Sequence, residues 1–214
     1  LNDIDARTET DDPPFLFSVS YQNHGPYPSE TYWEEYATPE KNGWSMQTCC
    51  VINNYLAGIR STINEMCRMT EELETRDEPI VFVFFGDHKP WMGNGNSVYT
   101  EIGVDLDVST LEGFYNYYAT PYVIYANEAA RELFGSDFAG DGGDFSPCFL
   151  MARLFDECGW EGPGLMQLQR EMREVSPLMS SNGWRLIDGQ LTSELTGAAE
   201  DENERYLRAQ YYIE

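Results

Sequence analysis

The stretch "IVFVFFGDHKPW" restricts this chain more than any other. Residues 80–85 are apolar without alternation, which suits a central parallel strand covered on both faces. The run stops at Gly86, and an acid and an imidazole follow side by side, Asp87 and His88. The chain holds two histidines. The other, His24, follows a second strand-like run in "FLFSVSYQNHGPY". Both therefore stand just past the end of an apolar strand, where open α/β sheets gather their ligands.

The segment between the two runs reads as a helix. Ile52, Leu56, Ile59, Ile63, Met66 and Leu73 recur at helical spacing, with Pro79 as the stop. A strand over 15–21, a long helix and a strand over 80–85 predict a right-handed crossover with the two strands parallel. Residues 1–14 read as a polar lead-in ending in "DDPP", and residues 110–118 as an aromatic-rich helix. "TPYVIYAN" predicts a third strand. "SPCFLMARLFDECG" predicts a helix with Ser146 as N-cap, Pro147 at its first position and Gly159 as terminator. A helix over 164–174 follows, then a hairpin turning at Asp188-Gly189, then a final helix or edge element from Ala198. The fold class expected is α/β, a mainly parallel sheet flanked by helices with a C-terminal hairpin.

The 214 residues suffice for one α/β domain with a core, and 42% hydrophobic content argues against disorder. Lys plus Arg total 13 against 37 Asp plus Glu, a net charge of −24. Such a surface repels phosphate backbones, so nucleic acid is excluded as a partner. It disfavours docking on an anionic membrane, favours cations, and keeps a chain soluble. No apolar run approaches the roughly 20 residues that span a bilayer, and no signal peptide is read at the start. A first residue of Leu1 leaves room for a longer parent. The five cysteines lack metal spacing. Cys148 and Cys158 lie about 15 Å apart on one expected helix, too far to bridge, so buried free thiols are expected.

Successive strand residues point to opposite faces. Asp87 and His88 converge only once the chain has left the strand, and Gly86 offers that backbone freedom. The pair then makes a two-ligand corner suited to Mn, Zn or Fe, and less to Mg. The plainer reading is a loop-capping aspartate beside a surface or packed histidine. No GxSxG, Walker loop or HExxH motif is present, and a Ser-His-Asp triad has no supporting spacing.

Taken in order, "FLFSVSYQNHGPY", the long helix, "IVFVFFGDHKPWMG", "YATPYVIYAN" and "SPCFLMARLFDECG" resemble the C-terminal half of the lipoteichoic acid synthase-like sulfatases, within the alkaline phosphatase superfamily. The resemblance covers residues 13–160. It implies that residues 1–214 are the C-terminal part of an extracellular catalytic domain, held at the outer face of the cell membrane by upstream helices. It further implies a divalent metal, manganese foremost with zinc or magnesium as options, bound by Asp87 and His88. His24 matches a histidine that contacts the phosphate or glycerol of a phosphatidylglycerol-like substrate. Lys89 is either a point charge for a phosphate or a solvated loop lysine. Trp91 either walls the headgroup pocket or simply packs.

The resemblance has gaps. The nucleophilic threonine of that family and its acidic companion belong to an N-terminal half, the expected partner of this chain. Thr8 and Thr120 do not sit in its motif, so no catalytic residue is assigned. "DHKPW" also places Lys89 and Pro90 where many sulfatases have glycine soon after the histidine. The function implied is metal-dependent phosphoglycerol transfer, with this chain inactive by itself. The rivals are a sulfatase or phosphodiesterase, and a non-catalytic extracellular binding domain of the same fold.

Overall fold

The computed structural model describes residues 14–213, so most of the polar lead-in lies outside the described residues. The chain divides into two compact units. One runs to Val108 and takes up Glu112–Ala130; the other comprises Ser109–Leu111 and the chain from Arg131 onward.

In the first unit a short helix α1 (Pro39–Asn42) precedes the long α2 (Met46–Leu73). Ser45 caps α2, its hydroxyl oxygen accepting from Thr48 N at 3.2 Å. The helix ends at Leu73, six residues before the expected stop at Pro79. The reason is tertiary. The fully buried Asn127 donates its side-chain amide to Leu73 O, Arg76 O and Glu78 O, drawing the chain out of the helix. The buried face of α2 also differs from its apolar stripe. Thr48, Asn53 and Asn54 are buried, whereas Ile63 is 53% exposed. The two asparagines hold the preceding loop: Asn53 Oδ1 accepts from Tyr36 N and Ala37 N, and Asn54 Nδ2 donates to Pro28 O and Thr31 O.

Strand β1 (Val81–Phe85) leads through a one-turn 3-10 helix (Asn94–Asn96) to α3 (Ser97–Glu101), α4 (Leu111–Tyr118) and β2 (Tyr122–Ala126). β1 and β2 pair antiparallel, with Val81 opposite Ala126 and Phe85 opposite Tyr122. The expected parallel sheet is not shown; among the described residues both sheets are two-stranded and antiparallel. Nor is β1 a central strand covered on both faces, since Val81–Phe84 are half-buried and Phe85 is exposed; the direction and number of a strand's neighbours are set by the connections, which sequence pattern does not encode. Residues 15–21 correct a second expectation. They form no strand, and Phe15, Phe17, Val19 and Tyr21 are all exposed. β propensity makes a strand only where backbone groups find a partner ladder. The core of this unit gathers Val51, Met92, Val98 and Tyr99.

In the second unit, helix α5 (Glu128–Phe134), which begins in the first, is followed by a 3-10 turn (Pro147–Phe149), α6 (Leu150–Glu157), α7 (Gly164–Val175), hairpin β3–β4 (Arg185–Ile187, Gln190–Thr192) and α8 (Ala198–Ile213). The hairpin turns as expected, Asp188 and Gly189 taking φ of 50° and 75°, the two left-handed positions of a type I′ turn. Ser146 does not cap its helix by side chain. Its hydroxyl instead donates to Met179 O and accepts from Met179 N. Phe149, Leu168, Met172 and Tyr206 form the core here. All five cysteines are free; Cys49, Cys50 and Cys158 are buried, while Cys67 and Cys148 are exposed.

Candidate functional site

The candidate site belongs to the first unit and is built from two loops. One leaves β1. Gly86 does not take a left-handed φ, so its role differs from the backbone freedom expected of it. A Cβ there would stand 3.1 Å from the Cβ of Thr120, and Thr120 Oγ1 donates to Gly86 O at 2.8 Å while Gly86 N donates to Pro121 O at 3.0 Å. Glycine eases this close approach, at which the strand exit is clamped against the start of β2.

Past that clamp, Asp87 Oδ1 accepts from His88 N at 2.9 Å. The aspartate thus caps its own loop, as the plainer reading held, while its second oxygen stays available. Asp87 Oδ2 lies 3.3 Å from His88 Nε2. His88 Nδ1 faces the carbonyl of Lys89 at 2.9 Å. A ring nitrogen facing a carbonyl carries the proton, so Nε2 of a neutral ring is a lone pair. Two lone-pair atoms that close together call for a cation between or beside them, either a proton on the ring or a metal. A carboxylate oxygen and an imidazole nitrogen are the donor set of a borderline divalent ion, so the residues fit the implied metal. Among the described residues no third His, Cys, Asp or Glu completes a cluster.

The other loop carries His24. Its Nδ1 faces Gly25 O at 2.6 Å, which again leaves Nε2 as the lone pair. The ring stacks on Tyr21, centroids 4.5 Å apart, and meets the ring of His88 edge-on at 6.5 Å. The structure therefore brings His24, Asp87 and His88 together. Lys89 is half-buried, and burial lowers its pKa. Trp91 exposes its ring, while its carbonyl would lie 3.5 Å from a Cβ on Gly25, so the two loops abut through backbone. The loop that leaves β1 is tied down at Tyr99, whose hydroxyl donates to Pro90 O at 2.9 Å, and at the buried Met92.

Residues missed by pattern reading hold this site in place. Asn23 takes a left-handed φ of 62° and donates its amide to Tyr55 O of α2 at 3.3 Å. Tyr27 donates its hydroxyl to Asn23 O at 2.6 Å, and burial with Tyr55 and Tyr99 nearby pushes its pKa up to about 12, so it remains a donor. One signal was readable: Gly58 interrupts the middle of a helical pattern.

A family model described as sulfatase matches residues 2–146. The chain belongs to the sulfatase family. That membership brings with it an α/β fold of the alkaline phosphatase kind, and enzymes of the family generally depend on a divalent metal. This sulfatase-family chain is 26% identical over 165 residues to a Rhizobium meliloti (strain 1021) protein described as "Putative cyclic beta-1,2-glucan modification protein". The match covers 72% of the chain and 23% of that relative, so the chain spans about a quarter of its length. No solved structure matches it.

Proposed function

We propose that this chain is the metal-supplying part of a phosphoryl-ester transferase that moves phosphoglycerol from a phosphatidylglycerol-like donor. The observation that carries this reading is the convergence of Asp87, His88 and His24, with both imidazoles tied at Nδ1 to a carbonyl. Asp87 and His88 hold the metal, manganese being the first choice. When bound, it offsets charge developing on the transferred phosphoryl group. His24 offers Nε2 as an acceptor for a hydroxyl of the donor's glycerol group. Lys89, half-buried on the same loop, adds a positive charge to draw the phosphate, and Trp91 offers a face to the donor's headgroup. The nucleophilic threonine comes from an upstream half of the same domain, which is the partner of this chain. The parent acts on the extracellular face of the cell membrane. Among the described residues no helix is long and apolar enough to cross a membrane.

A hydrolase acting on sulfate or phosphate esters is the second reading, favoured by the family description. The upstream nucleophile separates them, since sulfatases need a modified Cys or Ser there. The deciding experiment assays the parent protein on a phosphatidylglycerol donor with and without Mn²⁺. Metal content is measured beside each rate. Asp87→Asn and His88→Ala should abolish metal-dependent transfer, and His24→Ala should impair substrate handling with metal retained. Full transfer by the His88→Ala parent, or metal-dependent turnover by these 214 residues alone, would overturn the proposal.

A further inference from the structure

The His24 loop rests on a glycine in the middle of α2. A mid-helix glycine is disfavoured relative to alanine, and Gly58 has no left-handed φ to justify it. Its neighbour supplies the reason. A Cβ on Gly58 would fall 1.8 Å from Oδ1 of Asn23, 2.4 Å from its Cγ and 3.1 Å from its Cβ. The Asn23 amide thus lies flat on the helix backbone, in the space any other residue would fill. From that seat Asn23 Nδ2 donates to Tyr55 O, and the Asn23 carbonyl accepts from the Tyr27 hydroxyl. Tyr27 meets the ring of Tyr55 edge-on at 5.8 Å. Residue 23 is thereby fixed through both its side chain and its backbone, and residue 24 is His24.

We infer that Asn23 and Gly58 are positioning residues, a peg and its seat, that hold the His24 imidazole beside the Asp87–His88 pair. Neither reaches the reacting atoms. They act through His24, whose ring is otherwise exposed and restrained by the Tyr21 stack and the Gly25 carbonyl. An exposed imidazole held only on one side would sample several rotamers, so the peg fixes where the loop backbone starts. The catalytic consequence rests on the reading of His24 as a substrate contact; the structural consequence rests on the geometry alone.

The test separates the two. Histidine ring signals are followed by NMR in the 214-residue chain, which has only two histidines to assign. The wild type should show cross-relaxation between the rings of His24 and Tyr21 and between those of His24 and His88. Gly58→Ala should lose the His24–His88 contact while far-UV circular dichroism keeps its helix signal, because alanine is the better helix former. Asn23→Ala, a loop substitution, should lose it too, and Gly58→Ala made in an Asn23→Gly background should add nothing further. In the parent enzyme Gly58→Ala should raise KM for the phosphate-ester donor by about 10²-fold, the scale of a 1 Å misplacement, with metal content unchanged. Persistence of the His24–His88 contact in folded Gly58→Ala would overturn the peg. Loss of that contact with an unchanged KM would leave the peg standing and overturn the substrate role of His24.

Discussion

Glu101 illustrates how single residues in this protein answer to distant elements. It ends α3, where a carboxylate is poorly placed for the dipole of its own helix. Yet it accepts from Ser45 N, from Ser45 Oγ at 2.9 Å and from Thr48 Oγ1, and so caps the N-terminus of α2 from outside. The Thr48 hydroxyl first, and then Ser45, hold its pKa below the ordinary carboxylate value. A folded pKa below the unfolded one gives stability that is present above the ordinary value and is lost as pH falls through the folded one. Glu101→Gln should therefore lower the thermal midpoint at pH 7. Its deficit against wild type should shrink once pH drops below the usual carboxylate range. A deficit that stays constant down to acid pH would show that packing, not charge, is what the substitution removes. Gly58 and Asn23 belong to the same scale: each makes sense only through a residue far away in the chain.

At the scale of elements, the join between α2, β1 and α5 runs through one side chain. Asn127 has no exposed surface. Its Nδ2 donates to the carbonyl of Leu73 at the end of α2 and to two carbonyls beyond it, its Oδ1 accepts from Ile80 N at 2.8 Å just before β1, and the same oxygen caps α5 by accepting from Ala130 N. A carboxylate cannot donate, so Asn127→Asp should fail nearly as badly as Asn127→Ala. Asn127→Ala should cost about 3 kcal/mol, from buried backbone groups left unpaired plus a lost helix cap, and Asn127→Asp should cost a similar amount although it keeps the cap, because it buries a carboxylate against the carbonyls that the amide had satisfied. Denaturant unfolding measures this, and a loss near zero would mean that water or a shifted backbone replaces the amide. The site inherits the consequence, because β1 delivers Asp87 and His88 and its entry is fixed at Ile80.

For the whole molecule the dominant fact is a net charge of −24 on 214 residues. Self-repulsion of that size opposes compaction, and salt screens it over about 10 Å at 0.1 M. The thermal midpoint should rise as sodium chloride is raised from low to physiological strength. The expected rise is roughly 2–4 °C for each kcal/mol regained in a chain of this size. A midpoint that falls with salt would mean that the ion pairs outweigh the repulsion. Those pairs are mostly exposed and of small individual worth. Half-buried pairs stand apart: Arg153 with Glu157 within α6, and Asp156 of α6, which receives both Arg170 and Arg173 of α7. The same acidity would draw a divalent cation toward Asp87 and His88 at low ionic strength.

The sequence alone determined the local features. Periodicity placed α2, an aromatic-rich segment marked α4, the Asp188-Gly189 pair placed the hairpin, and the apolar run ending at Gly86 placed β1 and the two groups after it. Each of these signals sits within a few residues, where side-chain spacing and backbone preference act directly. His24, Asp87 and His88 were legible as candidates for the same reason, as polar groups just past apolar runs. Only the tertiary structure decided that β1 pairs antiparallel with β2, that residues 15–21 form no strand, and that α2 ends at Leu73. It alone set polar Thr48, Asn53 and Asn54 on the buried face of α2 and seated Asn23 against Gly58. Where a partner decides the outcome, as Asn127 does at the end of α2, Glu101 at Thr48 and Gly58 at Asn23, it lies many residues away in the chain. A hydrogen bond that closes such a distance leaves no periodic trace in either segment it joins.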